Sequence, residues 1–274
     1  MEKKRILYVS QEIHPYLPES DISKTALALP KKMNELGHEV RVFMPRFGLI
    51  NERRHQLHEV IRLSGINIIV NDMDQPLIIK VASVPQARMQ VYFIDNEEYF
   101  RRKATFLDED HELFEDNDER TLFFGKGVIE TVKKLGWKPD IIHIHGWMTC
   151  CLPLYIKEFE QNEPLFKDTK IVFSSYNNSF EGEFGSNIYE GLEFDGIEDE
   201  EVLDLYNEPT AKNLNKAAIK YSDALVTGSE DVDEELVEFA KSLDIPVFDG
   251  ANLSEKPKEA VEFYKEVTEE APVA

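Results

Sequence analysis

Cysteine and long apolar runs are nearly absent from this 274-residue sequence. The only two cysteines, Cys150 and Cys151, are adjacent, which leaves no CxxC or zinc-ligand spacing and disfavours a disulfide between them. No apolar stretch approaches the roughly 20 residues that a membrane span needs. The apolar run at residues 6–9 is too short for the core of a signal peptide. These absences predict a cytoplasmic protein with no metal site and no membrane partner.

Positive charge is also scarce. The chain has 31 Lys and Arg residues against 53 Asp and Glu, which gives a net charge of -22 at pH 7. A surface this acidic repels phosphate backbones, so nucleic acid is not an expected partner. Hydrophobic residues make up 42% of the sequence, which is enough to build a core. The length predicts one large domain, or one domain with an inserted subdomain.

Short apolar runs recur along the chain in the manner of buried strands of a parallel sheet. They lie at residues 6–9, 40–44, 141–144, 171–174, 224–227 and 245–248. Helical spacing of apolar residues covers 22–36 and 119–135, between such runs. Strands that alternate with helices are typical of βαβ units, so we predict an α/β fold with a doubly wound, Rossmann-like parallel sheet.

Four stretches depart from this alternation. Short strands at 58–63, 66–70, 77–84 and 90–94 predict a small antiparallel insertion over residues 56–100. Residues 103–118 are polar, and residues 178–210 are acidic with four glycines, so both are expected to be loops. Residues 253–274 are expected to hold a closing helix, from 256 to about 270, and a tail.

The loop that follows the first predicted strand is poorly suited to a phosphate. Residues 11–24 contain no glycine, whereas phosphate loops commonly use glycine for close backbone approach. Glu19 and Asp21 stand at the start of the next helix, where they stabilise its dipole and would repel a diphosphate. Ser20 or Asp21 is the expected N-cap. The loop therefore predicts a well-capped helix rather than a nucleotide site.

Several segments together identify a family. The segments ILYVSQEIHPY, ALPKKMNELGHEVRVFMPRF, VYFIDNEEYF, PDIIHIHGWMT, GLEFDG and YSDALVTGSE occur in the order and spacing of the bacterial glycogen and starch synthases. Over about residues 4–250 the chain resembles the N-terminal catalytic domain of those enzymes. The resemblance implies a GT-B glycosyltransferase fold, in which two Rossmann-like domains face each other across a cleft. It also implies a role in glycogen biosynthesis, by retaining transfer of glucose from ADP-glucose to an α-1,4-glucan.

The resemblance also shows what has changed in the first loop. The family motif reads approximately P-x-x-K-T-G-G-L-G-D-V. Its lysine falls on Pro18, its paired glycines on Ser20 and Asp21, and its aspartate on Lys24. The polar chemistry of the motif is therefore lost at all four positions.

Other family positions supply the candidate site residues. The resemblance implies that His145 and Asp116 are catalytic, and that Asn177, Trp147 and Tyr16 bind substrate. The family's H-D-W turn is His145-Gly146-Trp147 here, so its aspartate is missing, and the histidine of its T-x-H-N segment is replaced by Tyr176. His143 and His145 could face the same way along a strand, but no third metal ligand is placed near them, and no cofactor is implied.

The family's second domain, which supplies most of the nucleotide pocket, has no counterpart among these residues. We therefore expect residues 1–274 to form a single N-terminal domain with the C-terminal nucleotide-binding domain absent. The first hypothesis is a degenerate domain, inactive alone, that acts in α-glucan metabolism by binding α-glucan or a partner. The second is half of a split synthase, which would bind ADP-glucose only when a separate chain supplies the second domain. The third is an interaction module that forms a homodimer or binds a partner protein.

Overall fold

A mostly parallel sheet of ten strands forms the centre of the structure, a computed structural model that describes residues 3–84, 87, 89–251 and 253–269. The strand order is β10-β9-β8-β7-β1-β2-β6-β5-β3, and β4 pairs with β5 off this path. The strands are β1 (Arg5–Ser10), β2 (Glu39–Pro45), β3 (His58–Glu59), β4 (Ile66–Val70), β5 (Met73–Ser83), β6 (Gln90–Asp95), β7 (Ile141–His145), β8 (Lys170–Ser175), β9 (Ala224–Thr227) and β10 (Val247–Asp249).

Ten α-helices flank the sheet within the described ranges. They are α1 (Asp21–Glu35), α2 (Glu52–His55), α3 (Glu97–Phe100), α4 (Asn117–Leu135), α5 (Cys151–Phe159), α6 (Asn187–Phe194), α7 (Glu200–Asn207), α8 (Ala211–Lys220), α9 (Glu234–Ser242) and α10 (Pro257–Thr268). Short 3₁₀ helices cover Trp147–Thr149 and Leu253–Glu255. None of the helices in this part of the chain combines the length and the apolar character that crossing a bilayer needs.

The central strands are buried on both faces, as their continuous apolar runs predict. All five residues of β7 are buried, and so are five of the six in β1. β1 pairs in parallel with β2 on one side and with β7 on the other. The chain order therefore reverses at β1, and in doubly wound sheets ligands bind beyond the carboxyl ends of the strands at such a reversal. The predicted α/β fold is confirmed, and this reversal places the candidate site.

The expected antiparallel insertion over 56–100 is only partly antiparallel. β5 pairs antiparallel with β3, β4 and β6, but β6 pairs in parallel with β2 and so extends the main sheet. The strand expected at 58–63 is wrong beyond Glu59, because the chain turns there, with Leu63 N–H donating to the Val60 carbonyl. The alternating pattern located the strands but could not specify their partners.

The loop expected over 178–210 is also wrong in large part, because α6 and α7 lie within it. The glycines misled the prediction. A Cβ on Gly191 would lie 2.5 Å from Leu122 of α4 and 2.4 Å from Asn71, so this glycine permits close helix packing rather than a turn. Ile188, Leu192 and Tyr206 are buried and supply the apolar face that holds both helices.

The C-terminal helix closes the sheet, as expected, over slightly different bounds. β10 begins two residues later than expected, and α10 ends at Thr268, whereas the residues from 270 lie outside the described range. Tyr264 of α10 is fully buried, with its hydroxyl 2.7 Å from His143 Nδ1 and 2.9 Å from the Tyr8 hydroxyl. A buried hydrogen-bond network therefore ties α10 to β7 and β1.

Candidate functional site

A cavity of about 680 Å³ opens beyond the carboxyl ends of β1, β7 and β8, and we call it the aromatic cavity. It is lined by Gln11, Glu12, Phe106, Leu107, His111, Glu112, Leu113, Trp147 and the segment 178–183. The ring centroids of Phe106 and Phe180 lie 4.6 Å and 4.9 Å from that of Trp147. The carboxylates of Glu12, Glu112, Glu181 and Glu183 stand among these rings, and none of the described lining residues is Lys or Arg.

Asn178 and Phe180 follow β8 in the chain and line one wall of the cavity. Neither amide atom of Asn178 has a hydrogen-bond partner among the described residues. Phe180 stacks parallel on Phe184 at 5.1 Å, and Phe184 contacts Trp147 edge to face. The cavity therefore combines flat apolar surfaces with carboxylate groups that can accept hydrogen bonds from a ligand.

At the start of α1, beside this cavity, Ser20 and Ser23 bond to each other. The Ser20 hydroxyl accepts from the Ser23 N–H at 3.0 Å, and the Ser23 hydroxyl accepts from the Ser20 N–H at 2.8 Å. This reciprocal capping box engages the N–H groups of Ser20 and Ser23, so these two donors are not free for an anion. The Ser20 hydroxyl also donates to the Glu12 carboxylate at 2.6 Å, which places a negative charge against the helix start. Ser20 is therefore the N-cap.

The remaining altered loop positions also lack phosphate-binding geometry. Pro18 is exposed, and its carbonyl accepts a hydrogen bond from the Ser23 hydroxyl. Lys24 faces Asp21 at 3.4 Å, so its charge is shared with a carboxylate one turn away. All four altered positions thus belong to a self-contained helix cap.

A second cavity, of about 400 Å³, lies beyond the carboxyl ends of β8 and β9, and we call it the Asn177 cavity. Asn177 is exposed there, and its backbone N–H donates to the Ser229 hydroxyl at 2.9 Å. The lining residues are Asp21, Lys24, Thr25, Asn177, Gly228, Ser229, Glu230, Asp231, Ala251, Ser254 and Glu255. Four carboxylates against one lysine make this cavity acidic.

His145, the candidate catalytic histidine, is completely buried and lines neither cavity. Its ring stacks on that of His143 at 4.3 Å, so the two histidines do face the same way. His145 Nδ1 lies 2.7 Å from the Tyr176 hydroxyl, and its Nε2 has no hydrogen-bond partner in the described structure. Burial lowers the pKa of His145 to about 3, so the ring is neutral at pH 7.

Asp116, the other catalytic candidate, lies at the start of α4. Its carboxylate accepts from Arg102 Nη2 at 2.5 Å and 2.8 Å, while the Arg102 guanidinium lies over the Phe114 ring. Asn117 Nδ2 donates to the Phe106 carbonyl at 2.9 Å. These contacts hold the loop that carries Phe106 into the aromatic cavity, so the geometry favours a positioning role for Asp116.

Arg120 stabilises the loop that carries Phe106 through its contact with Asn117. The side chain is fully buried, donates from Nη1 to Asn117 Oδ1 at 2.6 Å, and faces the rings of Phe47, Phe100 and Phe114 at 5.2–5.5 Å. Burial lowers its pKa to about 9, an effect that the neighbouring charge of Arg102 increases.

The three candidate substrate-binding residues occupy different surroundings. Trp147 lines the aromatic cavity and Asn177 the acidic one. Tyr16 is buried edge to face against Phe93 and His55, at 4.9 Å and 5.0 Å, and borders neither cavity. Burial raises the pKa of Tyr16 to about 12. The structure thus brings Trp147 to one cavity and Asn177 to the other, but gives Tyr16 a packing environment.

Gly146 stands where the family has an aspartate, and its backbone shows why a side chain is excluded here. Its φ is +86°, and a Cβ would lie 2.3 Å from Gln11 Oε1, which also accepts from the Met148 N–H at 3.2 Å. Within the described residues, no three His, Cys, Asp or Glu side chains are grouped so that they could hold a metal ion.

Sequence reasoning missed four residues of this region: Glu12, Asn178, Phe180 and Tyr176. Asn178 and Phe180 directly follow the altered T-x-H-N segment at residues 174–177, which was the only signal available for them. The role of Glu12 depends on its contact with Ser20, eight residues away, and that of Tyr176 on His145, 31 residues away.

A doubly wound sheet with its cleft at the strand-order reversal is the arrangement of a Rossmann-like glycosyltransferase domain. The model of the starch synthase catalytic domain family matches residues 5–245, and the chain belongs to that family.

Curated relatives agree with this assignment. The chain is 34% identical over 234 residues to a glycogen synthase of Chlorobium limicola, covering 85% of this chain and 47% of the relative. It is 36% identical over 231 residues to a glycogen synthase of Chlorobaculum tepidum, covering 82% and 46%. The chain therefore spans about half the length of the curated relatives it matches and corresponds to the N-terminal part of a synthase.

A solved structure shares the fold. The catalytic domain of starch synthase IV from Arabidopsis thaliana, bound to ADP and acarbose, superposes with a TM-score of 0.68 at 17% identity. The match covers 90% of this chain and 52% of the other. The GT-B-type Rossmann-like sheet is thus shared, whereas this identity is too low to transfer any residue's role.

Proposed function

We propose that this chain acts in α-glucan metabolism by binding an α-glucan in the aromatic cavity, and that it does not transfer glucose by itself. The observation that carries the proposal is the composition of that cavity. Trp147, Phe106 and Phe180 supply apolar ring surfaces, and Glu12 and Glu112 line the same cavity with hydrogen-bond acceptors.

This combination suits a neutral sugar chain. A glucose unit presents apolar C–H faces that pack on rings, and hydroxyl groups that donate to carboxylates and exchange hydrogen bonds with amides. The starch synthase IV domain, which was solved with acarbose, supports a carbohydrate ligand for this fold.

A nucleotide diphosphate is a poor match for the start of α1, beside this cavity. The N–H groups of Ser20 and Ser23 are engaged in the capping box there, and Glu12 and Asp21 bring negative charge to that point. Coulomb repulsion between these carboxylates and a diphosphate opposes binding. We therefore propose that ADP-glucose binds only if a second domain supplies cationic groups.

Calorimetric titration of maltoheptaose into the purified chain tests the proposal. Phe180→Ala removes a ring from the cavity and should weaken binding roughly tenfold or more, since truncating an aromatic anchor costs about 2 kcal/mol. Phe159→Ala is the matched control, because Phe159 is 46% exposed and lines a different groove. Equal affinities for both variants, or no maltoheptaose binding by the unaltered chain, would contradict the proposal.

A second candidate function is half of a split synthase. The open Asn177 cavity at the carboxyl edge of β8 and β9 favours it, because that edge is where a facing domain could complete a site. Mixing the chain with the C-terminal domain of a related glycogen synthase, and measuring both association and glucose transfer, tests this candidate. If the mixture shows neither association nor transfer, the candidate is wrong.

A protein-interaction role is the third candidate. Ile69 and Phe159 are about half exposed and line a groove of about 360 Å³ between β4 and α5. Exposed apolar surface of this kind favours contact with a second copy or a partner protein. Sedimentation velocity at several concentrations tests for a homodimer, and a strict monomer would remove that form of the candidate.

A further inference from the structure

The surroundings of His145 have a feature that the proposed function does not use. The imidazole is fully buried, yet its Nε2 has no hydrogen-bond partner in the described structure. A buried ring nitrogen without a hydrogen-bond partner carries a desolvation cost, so its presence here calls for an explanation. Its Nδ1 is engaged by the Tyr176 hydroxyl at 2.7 Å.

The Tyr176 ring lies next to the Asn177 cavity. Asn177, Gly228 and Thr25 line that cavity, and each is adjacent to Tyr176 in sequence or in space. A Cβ on Gly228 would lie only 2.3–2.7 Å from three atoms of the ring, so the glycine leaves just enough room for it. Tyr176 itself is 5% exposed.

We infer that Tyr176 is a plug that lies behind the wall of the Asn177 cavity and separates that cavity from His145. Its ring packs against Gly228, which lines the cavity, and its hydroxyl lies 2.7 Å from His145 Nδ1. Any ligand in the Asn177 cavity therefore meets Asp21, Lys24 and the Asn177 side chain, and does not reach the histidine.

The plug decides which chemistry this part of the cleft can perform. With Tyr176 in place, His145 can neither contact a substrate nor exchange a proton with one, so the cavity can bind a polyhydroxyl ligand but cannot use the imidazole on it. One part of this inference rests on the proposed function: if the chain does not transfer glucose by itself, the burial of His145 behind Tyr176 is one reason. Access to His145 can be measured with no glucan present, so the two can fail separately.

Carbethoxylation by diethylpyrocarbonate, followed site by site with mass spectrometry on the intact chain, tests the plug. His58 and His111 are exposed and serve as internal references. In the unaltered chain His145 should react at least about a hundredfold more slowly than His58, because a buried group reacts only from opened states. In Tyr176→Ala the His145 rate should rise to within roughly tenfold of the His58 rate.

Two comparisons separate a plug from general loosening. Tyr176→Phe keeps the ring and removes only the hydroxyl, so His145 should stay protected. His143, whose two ring nitrogens are bonded to Tyr264 and Ser174, should stay unreactive in every variant. If Tyr176→Ala does not fold, Tyr176→Leu carries the same expectation, because it removes the hydroxyl-bearing end of the side chain. Rapid modification of His145 in the unaltered chain, or continued protection in the folded Ala or Leu variant, would overturn the inference.

Discussion

Replacing Tyr264 by phenylalanine should destabilise the fold although it removes a single oxygen atom. The hydroxyl is bonded to His143 Nδ1 at 2.7 Å and to the Tyr8 hydroxyl at 2.9 Å, and all three groups are buried. Tyr264→Phe leaves both partners without this bond, at a cost of about 1–3 kcal/mol for each buried unsatisfied group. We expect a total loss of about 2–4 kcal/mol, which corresponds to a fall in Tm of roughly 3–7 °C for a chain of this size.

Urea denaturation, followed by circular dichroism, measures this loss directly. Tyr16→Phe is the matched control, because the Tyr16 hydroxyl is also buried but has no partner among the described residues. Its removal should be neutral or slightly stabilising. If the two variants lose the same amount, or if Tyr264→Phe costs less than about 0.5 kcal/mol, the buried network does not hold α10 and the reasoning is refuted.

Two further predictions concern the start of α1 and the start of α4. Ser20→Ala should cost about 1 kcal/mol in urea denaturation, because it removes the N-cap oxygen, whereas an unchanged midpoint would argue against the capping box. Burial raises the pKa of Asp118 to about 6, above its value of about 4 in an unfolded chain. The folded state therefore binds this proton more tightly, and the associated stability is present below pH 4 and is lost as the pH rises through 6. Asp118→Asn should thus be more stable than the unaltered chain at pH 8, by roughly 1–3 kcal/mol, with no advantage near pH 4; an equal gain at both pH values would contradict this assignment.

Much of the fold could be predicted because its signals are local. The strands β1, β7, β8 and β9 are continuous apolar runs, and the Ser20 cap follows from residue type next to a helical pattern. The helices α6 and α7 were missed because glycine is ambiguous in a sequence. Gly191 allows α6 to pack closely against Leu122 of α4, which lies 69 residues away in the chain. No local sequence pattern reveals such a contact.

The site was less predictable because it depends on contacts between distant segments. Trp147 and Asn177 were predicted from family positions, and each of them lines a cavity, but their substrate-binding role stays a prediction. The burial of His145 required knowledge of how Tyr176 packs against Gly228, 52 residues further along the chain. Likewise, the aromatic cavity forms only when the loops that carry Phe106 and Phe180 meet Trp147.

The central claim is that the cleft takes a neutral glucan and not a nucleotide sugar. The chain has two tryptophans, and Trp137 lies away from the cleft, where its Nε1 donates to Glu39, the first residue of β2. In a Trp137→Phe variant, the fluorescence of Trp147 alone reports on the aromatic cavity. Separate titrations with maltoheptaose and with ADP-glucose then compare the two ligands on one probe. We predict a saturable change with maltoheptaose and none with ADP-glucose, whereas saturation by ADP-glucose without any response to maltoheptaose would contradict the account.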